Sequence, residues 1–73
     1  MSEAEVAKIA DDAQLIVNGY AFQKIGGNIR AVNLRTGKAV VFANGGVAIE
    51  TNMDDMDVAL AARYLNDNAR FME

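Results

Sequence analysis

The sequence predicts an α+β fold: an N-terminal helix, a four-stranded antiparallel β-meander, and a C-terminal helix packed on the sheet. Three observations predict it. Turns bearing glycine, at Gly26-Gly27-Asn28, Thr36-Gly37-Lys38 and Asn44-Gly45-Gly46, divide the middle of the chain into short apolar segments. Those segments span residues 20–25, 29–34, 39–43 and 47–51, and their β-branched and aromatic side chains suit a pleated, half-buried surface. Every connection is too short for the crossover that parallel pairing demands, so successive segments pair as antiparallel neighbours.

Ahead of the meander, residues 3–17 carry Val6, Ile9, Ala10, Ala13, Ile16 and Val17 at three- and four-residue spacings, which line one helix face. Ser2 and Glu5 have the spacing of a capping box. Asn18-Gly19 then reads in either of two ways. It ends the helix through a left-handed glycine, or it turns a hairpin between residues 15–17 and residues 20–22. Leu15 points off the helical stripe and favours the hairpin.

Within the strands, alternation gives each segment two faces. Tyr20 with Phe22, Val32 with Leu34, Val40 with Phe42, and Val47 with Ile49 form the bulkier set. Ala21, Gln23, Ile25, Ile29, Ala31, Val41, Ala48 and Glu50 form the smaller one. Neither set is polar throughout, so both faces of the sheet need cover.

The C-terminal helix is predicted over residues 53–71. Thr51 or Asn52 is its expected cap, and Asp54, Asp55 and Asp57 occupy its first turns, where the helix dipole favours anions. Asp55, Ala59, Arg63, Asn66 and Arg70 form a solvent face, opposite Leu60, Ala61, Tyr64, Leu65, Phe71 and Met72. Two polar residues, Asp57 and Asn68, fall inside that apolar arc.

The chain of 73 residues makes one small domain, with no Cys for a disulfide and no Cys or His for a zinc site. Burial and ordering entropy nearly cancel at this size. With 52% hydrophobic residues, more apolar surface is present than a small interior absorbs. That predicts a partner: a second copy of the chain, or another protein. The N-terminus lacks a secretory pattern and no apolar run approaches the ~20 residues of a membrane span. A cytoplasmic bacterial protein, without membrane attachment, is the expectation.

The net charge of −3 is unevenly placed. Residues 13–49 contain Lys24, Arg30, Arg35 and Lys38 and no acid, whereas both ends are acidic. These four cations form a candidate basic surface, and with Tyr20 and Phe22 they suggest a regulator that contacts nucleic acid. That is the alternative reading. Charges spread around a sheet rim serve equally to discourage edge pairing.

Asp57, Tyr64 and Asn68 form a candidate interaction or ligand site, on the ground that two polar residues interrupt an apolar face beside a tyrosine. In the structural version, Asp57 accepts hydrogen bonds from Lys24 or Arg30 on the sheet. The acidic run from Asn52 to Asp57 lacks the alternate spacing and central glycine of a calcium loop, and helix capping accounts for it. Thr36-Gly37-Lys38 has the end of a phosphate-binding loop without its beginning. Neither a metal nor a cofactor is expected. Without His or Cys, and with Ser2, Thr36 and Thr51 at a chain end, a turn and a cap, no catalytic pair forms. The expectation is a protein that is not an enzyme.

The runs Asn18-Gly19-Tyr20-Ala21-Phe22 and Ile49-Glu50-Thr51-Asn52-Met53-Asp54-Asp55-Met56 resemble those of a family of short uncharacterised bacterial proteins. The likeness covers residues 18–72. It implies no activity, so no residue role is carried over from it.

Overall fold

A computed structural model describes residues 13–43 and 46–72 of the chain. Residues 3–12 of the helix expected over residues 3–17, and residues 44–45 of the third turn, lie outside these described residues. So do the side chains of Phe71 and Met72.

The elements are β1 (Leu15–Val17), β2 (Tyr20–Ile25), β3 (Asn28–Asn33), β4 (Ala39–Phe42), β5 (Ala48–Thr51) and α1 (Asp55–Asp67), followed by a 3₁₀ turn over Ala69–Met72. The strands form one sheet in the order β1-β2-β3-β4-β5, antiparallel throughout. The meander therefore stands with one strand more than expected, and residues 15–17, predicted as the end of a helix, form β1 instead. Asn18 and Gly19 take φ of 50° and 82°, a two-residue turn of mirror-image type whose twist matches the strands it joins. It sets Val17 opposite Tyr20. The chain is already alongside β2 at Gln14, whose N–H donates to the Phe22 carbonyl at 3.0 Å. Its Oε1 accepts from the Lys24 N–H at 3.0 Å. The hairpin reading is correct, because a helix would forfeit both bonds.

Register decides which side chains meet. Gly26 has φ of 61°, and the two-glycine loop places Ile25 opposite Asn28. Phe22 then faces Ala31 and Tyr20 faces Asn33. The grouping by side-chain size is thereby reversed in β3: Ala31 and Ile29 join the aromatic face, while Val32 points the other way, opposite Ala21. Loop length, rather than bulk, sets the parity of a strand. The aromatic face carries the core of Tyr20, Phe22, Ala31, Val40 and Phe42, capped by Met53 and by Ala61 and Leu65 of α1. On the reverse face Ala21 and Val32 are fully buried as well. Burying Phe22 or Phe42 contributes about 1.5–3 kcal/mol each.

The helix begins later than expected. Asp54, rather than Thr51 or Asn52, is the N-cap, and its carboxylate accepts from the Asp57 N–H at 2.8 Å. Thr51 and Asn52 instead close the β4–β5 ladder. Asn52 Oδ1 accepts from the Ala39 N–H at 2.9 Å, and Thr51 Oγ1 donates to the Ala39 carbonyl at 2.9 Å. Met53, between ladder and cap, is buried and pins the crossing to the core. At the other end, the α-helix stops at Asp67 because Asn68 leaves helical geometry (φ −121°) and satisfies the exposed carbonyls itself. Its Nδ2 donates to the Tyr64 carbonyl at 2.9 Å, and its N–H is shared between Tyr64 and Leu65.

Candidate functional site

The densest polar cluster lies where α1 crosses the start of β2 and the end of β3. The Tyr20 hydroxyl donates to Asp57 Oδ1. Asn33 Nδ2 lies 3.3 Å from both Asp57 oxygens. Asn33 Oδ1 in turn accepts from the Arg35 N–H at 2.9 Å and the Thr36 N–H at 3.3 Å. The tyrosine rings of Tyr20 and Tyr64 meet at 5.5 Å between centroids, tilted by 52°. Each member has a local cause. Asn33 ends β3 and organises the β3–β4 loop as an Asx turn, which leaves its amide nitrogen free to reach the helix. Asp57 lies in the first turn of α1, on the side facing the sheet.

The proton in this cluster belongs to the tyrosine. Burial, the hydrogen bond to Asp57 and the negative charge of Asp57 push the Tyr20 hydroxyl up to about 12, from 10.0 for a free tyrosine. At neutral pH it is a fixed donor and neither a base nor a nucleophile. Among the described residues, no buried side-chain polar atom lacks a partner. A network in which each donor meets an acceptor clamps one element to another.

Asp57 and Tyr64 are thus brought together, both through Tyr20. Asn68 is not part of the cluster: its side chain is committed to the helix end. The partners of Asp57 are Tyr20 and Asn33 rather than Lys24 or Arg30. Sequence reasoning missed Asn33, although an Asn three residues before the Thr36-Gly37 turn is a signal for an Asx turn.

The four cations of the basic segment do not share a face. Lys24 pairs across the ladder with Ile29 and lies on the aromatic side, while Arg30, one position further along β3, lies on the reverse. Arg30 Nε donates to Gln23 Oε1 at 3.0 Å. Arg35 and Lys38 sit on the β3–β4 loop. On the reverse face, Arg30, Ala39, Val41, Glu50, Thr51 and Asn52 line an open groove of about 370 Å³. Its two charges flank Val41 on neighbouring strands, with Cα atoms roughly 10 Å apart at the strand spacing.

A different surface stands out at the edge of the sheet. All four residues of β5 are exposed. Val47 just before it is 63% exposed and Ile49 within it 56%. On α1, Met56 and Leu60, one turn apart, are exposed as well. No group of carboxylates suited to a metal ion occurs among the described residues, and no helix there is long and apolar enough to cross a membrane.

Comparison with known families is decisive on one point: a family model matches residues 3–72, nearly the whole chain. The chain belongs to the DUF7723 family. It is a family of unknown function, as the resemblance to uncharacterised proteins led one to expect, and membership brings no assigned residue with it. No curated protein and no solved structure matches the chain.

Proposed function

We propose that this member of the DUF7723 family is a small, non-enzymatic interaction module that works in the cytoplasm by self-association, as a homodimer. The observation that carries this reading is β5, an edge strand exposed along its whole length, with Ile49 within it and Val47 just before it in water. Exposed apolar residues scattered singly mean little, but a run of them on an unpaired edge is a surface for another chain. The chemistry of the Tyr20–Asp57–Asn33 cluster supports the same reading from the other side. Its groups are spent on holding α1 to the sheet, and the described residues offer no activated nucleophile.

Sedimentation velocity over a range of protein concentrations tests it. The expected result is a reversible monomer–dimer equilibrium. A strict monomer at the highest concentration, with no binding of a hydrophobic dye, would overturn the proposal.

A further inference from the structure

We infer that residues 3–12, which precede the sheet, fold back as a helix over the reverse face of β2 and β3 and seat their apolar stripe on Ala21 and Val32 of the same chain. This goes beyond self-association: a strictly monomeric chain would leave it standing.

Burial calls for a cover. Ile16, Ala21, Val32 and Ala39 lie side by side in one row across β1 to β4, on the face away from α1. Ala21 and Val32 are 0% exposed, yet neither belongs to the core that α1 closes. Side chains of a sheet stand upright beside one another. A valine flanked by two alanines therefore keeps its outer methyl groups in water unless something lies on top. Ile16, at the end of the row, does not supply that cover, being itself 51% exposed. Arg30, two residues back along β3, turns its guanidinium to Gln23, directly opposite it, and not over Val32. At the same end of β3, Gly37 is buried although Arg35, Thr36 and Lys38 around it are exposed.

The described residues do not provide the cover. α1 packs on the opposite face, and the four-residue 3₁₀ turn after it, about 8 Å long, is too short to pass round a sheet edge. The β4–β5 turn follows Phe42, three residues along β4 from Ala39 and so about 10 Å from the row. That leaves the chain ahead of the sheet.

Its sequence and point of attachment fit the task. Gln14, donating to the Phe22 carbonyl, fixes where the chain reaches the sheet: at the β1 edge, one strand from Ala21. Ten residues of helix span about 15 Å, and β1 to β4 is about 14 Å, so the segment is long enough to cross the row. Val6, Ile9 and Ala10 share one face at helical spacing. Glu3, Glu5, Asp11 and Asp12 stand against one Lys8 in this segment, whereas residues 13–49, which include β1–β4, hold four cations and no acid.

Methyl NOEs in the wild-type chain test this without a variant. Cross-peaks from the Val32 methyls to Val6, Ile9 or Ala10 are expected, with helical Cα shifts over residues 3–12. A mixed sample of labelled and unlabelled chains separates contacts within a chain from those between chains. Missing cross-peaks, non-helical shifts, or cross-peaks that arise only between chains would overturn the inference. Thiol labelling gives a second reading, since the chain has no cysteine of its own. Val32→Cys is expected to react as slowly as Val40→Cys in the core. Adding Ile9→Lys should speed the Val32→Cys reaction about tenfold or more while Val40→Cys stays slow, because the cover is released locally. An unchanged Val32→Cys rate would mean that another part of the chain covers this face, and the proposal falls. Should Ile9→Lys expose both cysteines alike, the whole domain has opened and the NOE pattern decides.

Discussion

Strands β4 and β5 are neighbours that each carry β-branched apolar residues on or beside them, yet these residues fare oppositely. Val40 and Phe42 are at most 2% exposed, whereas Ile49 is 56% exposed and Val47 63%. The difference lies in what surrounds each strand. β4 has a strand on both sides and the Met53, Ala61 and Leu65 side chains in the core it shares. β5 has one neighbour, and its own side chains are exposed on both faces of the sheet. Apolar character alone does not make a core; position in the sheet order does. The interior of this small domain is finished at β2–β4 and open at β5.

The sharpest way to break that contrast is to damage the finished side. Phe22→Ala removes a fully buried ring, and a loss of about 3–5 kcal/mol is expected from urea denaturation, enough to unfold much of a domain this small. Asp57→Ala takes the acceptor from both Tyr20 and Asn33, and is expected to cost about 2–3 kcal/mol in the same assay, since stranded buried donors are expensive.

Alkaline pH probes the same clamp without mutation. The folded chain holds the Tyr20 proton more tightly than the unfolded chain does. The stability this contributes is complete below pH 10, where both states are protonated. It drains away between pH 10 and about 12, as the unfolded tyrosine ionises first. With solvent screening of the partly solvated hydroxyl, the loss by linkage is about 1–2 kcal/mol. Denaturation midpoints measured across that window should fall accordingly, and Tyr20→Phe should flatten this part of the fall.

Smaller effects sharpen the boundary of the contrast. Gly19→Val forces a β-branched residue into φ of 82° with open space around it, so backbone strain of about 1–2 kcal/mol is expected and no steric clash. Its thermal midpoint should drop while association is unchanged. Ile49→Lys should do the reverse: within about 0.5 kcal/mol of wild type in stability, as for surface changes generally, with association lost.

Much of the fold was legible from punctuation. The boundaries of β2 follow directly from Gly19 and Gly26, and Gly37 closes the β3–β4 loop through its N–H to the Asn33 carbonyl. Leu15–Val17 misled because Val17 and Ile16 fit a helical stripe and a strand equally well over so few residues; only the Asn18-Gly19 dihedrals separate the two. The faces of β3 were illegible by size, since parity depends on a loop whose length counts for more than the bulk of Val32. Asp57 was legible as an anomaly on its helix. Its partners were not, because Tyr20 and Asn33 are distant in sequence and meet only through the β2–β3 register. The exposure of β5 was foreshadowed by the excess of apolar residues, but the chain's order of strands was needed to say where that excess sits.

Amide hydrogen exchange in β5, followed through the association by a concentration series, tests the contrast most directly. Protection in β5 is expected to rise in step with the dimer, while the amides of Phe22 and Val40, in strands paired on both sides, keep theirs at every concentration. Exchange in β5 that stays constant as the protein passes from monomer to dimer would contradict the claim that β5 is the unfinished edge at which the chain associates.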